Sequence, residues 1–229
     1  MSECLVVPMA SLEKLSFWDS LPRVDGKLNA AVPLNIEQRV EFIDLVNKEK
    51  QFRERKGDDG IEKNPEWQQP IFYGIVTRGE SFFAYKRGGA KYSEGRLTSK
   101  TSIGLGGHIE RNDSSLKRSL NRELDEEAIF RRSGIEIPVD DAGDMEILGL
   151  VKNETDDVGM VHVGLVCRFD LRDEETDILI RDAGKENQIG WMLTMAEYKD
   201  RVDSGEFDPE EWTKLILQNM GDLIIRSKK

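Results

Sequence analysis

Three glutamates, Glu123, Glu126 and Glu127, stand at i, i+3 and i+4 of one stretch, and the run GLGGHIE lies just upstream of them. Residues three and four apart on a helix have Cβ atoms about 5–6 Å from each other, so the three carboxylates converge. A glycine turn lets backbone approach a ligand closely. Clustered carboxylates behind such a turn can hold a hard cation against a phosphate. Turning about 100° per residue, Leu116, Leu120, Leu124 and Ala128 form an apolar stripe. Glu127 projects between Leu116 and Leu120, and Glu123 borders the same stripe. Arg118, Arg122 and Asp125 fall on the side expected to face solvent. An ordinary acidic run is a solvated helix face. A carboxylate on the core side instead costs several kcal/mol unless it is paired or bound to metal, and neighbouring like charges raise that cost.

The stretch resembles the Nudix box, whose pattern is Gly, five residues, Glu, seven residues, then Arg-Glu-apolar-any-Glu-Glu-any-Gly-apolar. The matching pieces are Gly107, then Arg122-Glu123-Leu124-Asp125-Glu126-Glu127-Ala128, with Phe130 in the last apolar place. The resemblance implies that Glu123, Glu126 and Glu127 bind Mg²⁺ or Mn²⁺, that the backbone carbonyl of Gly107 helps position the ion, and that Arg122 has a positioning role. It implies an α/β (α+β) fold, a Nudix-type α/β/α sandwich with a mixed central sheet, covering residues 70–229 behind an N-terminal extension. It also suggests a homodimer. There are three departures. Asp113 replaces the first Glu, the run from Asp113 to Arg122 is one residue longer than the pattern, and Ile129 replaces the box glycine. Either Glu110 or Asp113 can serve as the acid that meets the box arginine. With no glycine at 129, the helix is expected to run about a turn further, through Arg131 and Arg132 to a stop at Ser133-Gly134.

An oxygen-only donor set suits Mg²⁺ or Mn²⁺ and not zinc. The expected reaction is hydrolysis of a phosphoanhydride bond in a nucleoside diphosphate linked to another group, by water attack at phosphorus. Glu126 and Glu127 are the candidate bases, with Glu154 and Asp157 as candidates from a loop outside the box. The alternatives are a Nudix-fold module that senses a nucleotide without cleaving it, and a non-hydrolytic enzyme on the same fold. The run VGMVHVGLV, together with GLGGHIE, is also similar to bacterial Nudix proteins described as predicted phosphoesterases, a likeness that carries no substrate.

With a formal net charge of −11, the chain should repel polyanions, so general nucleic-acid binding is not expected. A basic island interrupts this charge: Arg78, Lys86, Arg87, Lys91, Arg96, Lys100 and Arg111 face only Glu80, Glu94 and Glu110. Arg87, Arg96, Lys100 and His108 are the candidate contacts to substrate phosphate; Phe83, Tyr85 and Tyr92 are either core or base-stacking residues. No apolar run approaches the roughly 20 residues that cross a membrane, and the N-terminus lacks the pattern of a signal peptide. A cytoplasmic enzyme is therefore expected, with Cys4 and Cys167 reduced.

The elements that must position these groups follow in order. Residues 1–69 read as an arm and helix packed on the main domain. Residues 5–7 are a short strand, and a helix starts at Asn35 with a capping box to Gln38. The run KEKQFRERKGDDG reads as a loop or frayed helix end. Residues 71–77 and 81–87 form a hairpin, and residues 101–105 are a strand feeding the box. Strands follow at 145–151, 160–171 and 188–192, with an acidic loop at 153–159. Helices close the chain at 196–202 and 209–226.

Overall fold

The computed structural model describes residues 3–55, 60–87, 100–181 and 190–225. Its elements run β1 (Glu3–Pro8), α1 (Met9–Leu12), β2 (Arg23–Val24), β3 (Lys27–Pro33), α2 (Ile36–Glu49), β4 (Gln51–Glu54), β5 (Trp67–Arg78), β6 (Ser81–Lys86), β7 (Thr101–Ser102), β8 (Gly104–Leu105), α3 (Leu116–Glu127), β9 (Ala128–Arg132), β10 (Ile135–Ile137), α4 (Val139–Ala142), β11 (Gly143–Asn153), α5 (Asp157–Val161), β12 (His162–Leu171), β13 (Thr176–Ile180), β14 (Gly190–Thr194), α6 (Met195–Asp203) and α7 (Glu211–Ile224).

The central sheet has the order β14-β6-β5-β12-β11-β3-β2, with β1, β4, β7 and β8 paired at its margins. It is mixed: β5 and β12 run parallel, while β12–β11 and β11–β3 are antiparallel. Strand β5 is buried on both faces, and its side chains alternate between two layers. Phe72 and Val76 point to the layer that holds Leu120 and Leu124 of α3. Tyr73 and Ile75 point to the layer that holds Trp212, Ile216 and Met220 of α7. Helix, sheet and helix thus form the expected mixed α/β sandwich. The N-terminal residues enter it as well: β3 pairs with β11 from Asn29↔Asn153 to Pro33↔Gly149, and Trp18 and Leu28 are buried in the same core as α3.

Three expected elements are corrected. The loop expected over 153–159 gives way at Asp157 to α5, so the strand expected from residue 160 begins at His162. The run after α2 is not loop throughout: Gln51–Glu54 is a strand, with Phe52 opposite Leu5 of β1. Residues 56–59 lie outside the described residues. The box helix is not a turn longer. It ends at Glu127, and Ala128–Arg132 is a strand between β10 and β13. Ala128 and Phe130 point inward, and strand pairing overrides the helical continuation. Gly134 closes the β9–β10 hairpin instead: Ser133 and Gly134 form a two-residue loop with φ of 51° and 80°, the signature of a type I′ turn.

The capping box at Asn35 is present, and both cysteines are free and buried. The strand expected over 188–192 is described from Gly190, and the last helix ends at Ile224. Among the described residues, no helix is long and apolar enough to cross a membrane.

Candidate metal and catalytic site

The site is built where β8 runs out into the glycine turn under α3. Gly106 has φ 134°, and a Cβ there would lie 2.6 Å from the Phe72 carbonyl oxygen, so only glycine fits. Its N–H donates to Glu127 Oε2 at 2.7 Å. At Gly107 a Cβ would lie 2.6 Å from Glu123 Oε2, so the turn passes directly over that carboxylate. The Gly107 carbonyl accepts the N–H of Phe72 at 3.0 Å, which pins the turn to β5.

Helix α3 begins at Ser115, whose side chain accepts the Arg118 N–H. Leu120 and Leu124 are fully buried, as the stripe requires, and Leu116 is partly buried; Ala128 is buried too, but as the first residue of β9. Burial pushes the Glu123 carboxyl up to about 7; Arg122 opposes the rise, and Glu127 and Glu126 add to it. Burial likewise raises Glu127 to about 7, opposed by Arg87 and by the Gly106 N–H, with Glu210 and Glu126 adding to the rise. Glu126 points outward, its side chain 60% exposed.

Arg122 does not face open solvent as its helical position suggested. Its side chain is 21% exposed, because residues 108–113 fold over it. The guanidinium meets Asp113 through Nε at 3.1 Å and Nη2 at 2.9 Å, donates to the His108 carbonyl at 2.8 Å, and reaches Glu123 at 2.9 Å and Glu126 at 3.2 Å. The choice left open between Glu110 and Asp113 falls to Asp113. The Glu110 N–H donates to Asp113 Oδ2 at 2.8 Å, a turn that aims this carboxylate at Arg122 despite the extra residue. Burial pushes the Asp113 carboxyl up, but the Arg122 and backbone hydrogen bonds outweigh it and hold it below the ordinary value.

The other expected site residues are dispersed. Arg87 is half-buried, its Nε 2.9 Å from Glu210 Oε2 but off the hydrogen-bonding direction, an ion pair without a directed bond. Glu210 in turn accepts from Tyr73 at 2.8 Å and Ser102 at 2.7 Å. Lys100 pairs with Asp208 at 2.6 Å, and Arg96 and Tyr92 lie outside the described residues. The His108 ring lies against His162. Glu154 accepts the Leu28 N–H at 2.8 Å, and Asp157 opens α5 behind the cap supplied by Asp156. Phe83 and Tyr85 are core residues. Glu210 was missed: it lies far along the chain, and nothing in its local sequence marks it.

In donor chemistry the residues fit a hard divalent cation. Glu123 and Glu127 are oxygen donors that burial and mutual repulsion hold against ionisation, and a cation would relieve both effects. Among the described residues, no three His, Cys, Asp or Glu side chains close into a metal cage.

The chain is 34% identical over 175 residues to Protein YmaB of Bacillus subtilis (strain 168), covering 72% of this chain and 77% of YmaB. Its fold is similar to that of Tm1382, a protein assigned as a Nudix hydrolase, with a TM-score of 0.65 and 21% identity over 97% of this chain and 98% of that one. A more distant likeness, with a TM-score of 0.46 and 13% identity over 66% of this chain and 40% of the other, is to a bifunctional NMN adenylyltransferase/ADP ribose pyrophosphatase from Francisella tularensis, complexed with AMP and a manganese ion. No protein-family model matches the chain. The chain belongs to the same family as YmaB, and with the box residues on α3 it has the Nudix fold that Tm1382 shares.

Proposed function

We propose that the chain is a Nudix-type hydrolase that cleaves a phosphoanhydride bond in a nucleoside diphosphate linked to another group. The observation that carries this reading is the pair Glu123 and Glu127, held beside the glycine turn with carboxyls raised to about 7. Such a pair is costly to a fold that makes no use of it.

Glu123, Glu126 and Glu127, with the Gly107 carbonyl, would hold Mg²⁺ or Mn²⁺. The ion would neutralise diphosphate oxygens and make water more acidic. The chain's own residues do the rest. Asp113 and the His108 carbonyl fix Arg122, which in turn orients Glu123 and Glu126. The Gly106 N–H fixes one oxygen of Glu127, and Glu127 or Glu126 would take the proton from the attacking water. Glu154 and Asp157 stay as proposed bases of second rank, since the Glu154 carboxylate already holds the Leu28 N–H. Arg87 is the favoured phosphate contact, because its charge is felt by Glu127. Lys100 and Arg96 are proposed to assist, and His108 is set aside as a phosphate contact because its ring is committed to His162. The catalytic unit is proposed to start near residue 70, with residues 1–69 as an extension packed on it.

The test is a turnover screen of sugar nucleotides, dinucleotides, ADP-ribose and nucleoside triphosphates with Mg²⁺ or Mn²⁺, beside Glu126→Gln and Glu127→Gln. Cleavage that needs the metal and is lost in the variants is expected. Metal-dependent binding of one compound with no cleavage of any would replace the hydrolase with a nucleotide sensor.

A further inference from the structure

The chain contains only two histidines, His108 and His162, and the fold sets them against each other. Their Nε2 atoms are 3.1 Å apart, and the rings meet edge to face with centroids 5.3 Å apart. The protons in this contact can be assigned. His162 Nδ1 lies 2.6 Å from the Val158 carbonyl, which can only accept, so Nδ1 carries a proton. Two Nε2 atoms at 3.1 Å need one donor and one acceptor. A His162 ring that gives its Nδ1 proton to Val158 presents a bare Nε2, so His108 donates from its own Nε2.

The result is a directed chain from His108 to His162 to Val158. Both ends reach the proposed machinery. The His108 carbonyl accepts from Arg122 at 2.8 Å, and the residue before it is Gly107. Val158 belongs to α5, whose Gly159 and Met160 carbonyls are gripped from inside by Lys152 Nζ at 2.8 and 3.0 Å.

We infer that His162 is a positioning residue: through the His108 ring it ties the glycine turn to α5, and so fixes both relative to Arg122 and the three glutamates. The catalytic consequence rests on the hydrolase reading above; the proton arrangement does not.

Long-range ¹H–¹⁵N correlation spectra of the full chain at pH 7 test the arrangement without any variant. The expected result is His108 as the neutral Nε2–H tautomer and His162 as the neutral Nδ1–H tautomer. A reversed pair, or an imidazolium at either position, overturns the inference. The second measurement compares His162→Phe, which keeps a ring but removes both bonds, with His162→Gln, whose amide can again accept from His108. In His162→Phe the Gly106 and Gly107 amide resonances should shift. The kcat for the diphosphate identified in the screen should fall about tenfold with KM unchanged, the order expected from a small misplacement of reacting groups. His162→Gln should recover part of the loss. A folded His162→Phe with unmoved glycine resonances and full kcat refutes the positioning role. If the unmodified chain turns over no diphosphate, the hydrolase reading fails, and the tautomers and glycine resonances still decide the role of His162.

Discussion

Replacing Glu127 with Gln should make the metal-free protein more stable while removing its activity. The glutamine keeps an oxygen for the Gly106 N–H, so the turn need not move. What it removes is the cost of ionising a carboxyl raised from 4.5 to about 7. At about 1.4 kcal/mol per pH unit, that rise amounts to about 3 kcal/mol once the group is ionised in both states. The sign follows from proton uptake. Between 4.5 and 7 the folded chain binds more protons at this site than the unfolded chain, so stability falls as pH rises through that window and is level above it. Urea unfolding in EDTA at pH 5 and pH 8 reads this directly. The native chain should lose about 2–3 kcal/mol more than Glu127→Gln between the two conditions. Adding Mg²⁺ at pH 8 should return stability to the native chain and not to the variant, by mass action on the folded state. Equal pH slopes for the two proteins would refute the idea that the fold holds Glu127 against ionisation.

Asp113→Asn removes the charge that braces Arg122 from a side chain only 5% exposed, and should cost about 2–3 kcal/mol in urea unfolding at neutral pH, the range for a charge-assisted hydrogen bond lost in a partly buried setting. Because the folded Asp113 sits below its ordinary value, the native chain loses this contribution as pH falls through the folded value, and the two unfolding curves should converge in acid. Gly106→Ala places a methyl 2.6 Å from the Phe72 carbonyl oxygen; stability should fall by about 1–3 kcal/mol, with turnover reduced further because the Glu127 anchor moves. Lys152, whose ammonium burial pushes down to about 8, is expected to make the protein more stable as pH rises from about 8 toward the ordinary lysine value, where the folded chain binds fewer protons than the unfolded one. A Lys152→Met variant should lose that rise in urea titrations between pH 8 and pH 10.

The sequence made some of this site legible and hid the rest for physical reasons. The spacing of Glu123, Glu126 and Glu127, and the stripe of Leu120 and Leu124, depend only on helical periodicity, and both lie on α3. The end of α3 was not legible: Gly134 suits a helix stop as well as a hairpin, and only the pairing of Ala128–Arg132 with the distant strand at Thr176–Ile180 decides between them. The environment of Arg122 was misjudged for a similar reason, since its helical angle points outward and a separate segment covers it. Arg87 stands in a basic island as a candidate phosphate contact, and the sequence around it does not show its partner Glu210, supplied at the start of the last helix. Local pattern fixes what a residue can do; long-range pairing fixes what it meets.

The pairing of β3 with β11 also bears on how the chain is made. Asn29 must find Asn153, so on a ribosome the N-terminal strand emerges long before its partner exists. Until then Leu28 and Trp18, both destined for the core, have no finished surface to cover. Such a high contact order slows folding. It also means that trimming the N-terminus would expose the hydrogen-bonding edge of β11, an invitation to pair with another chain.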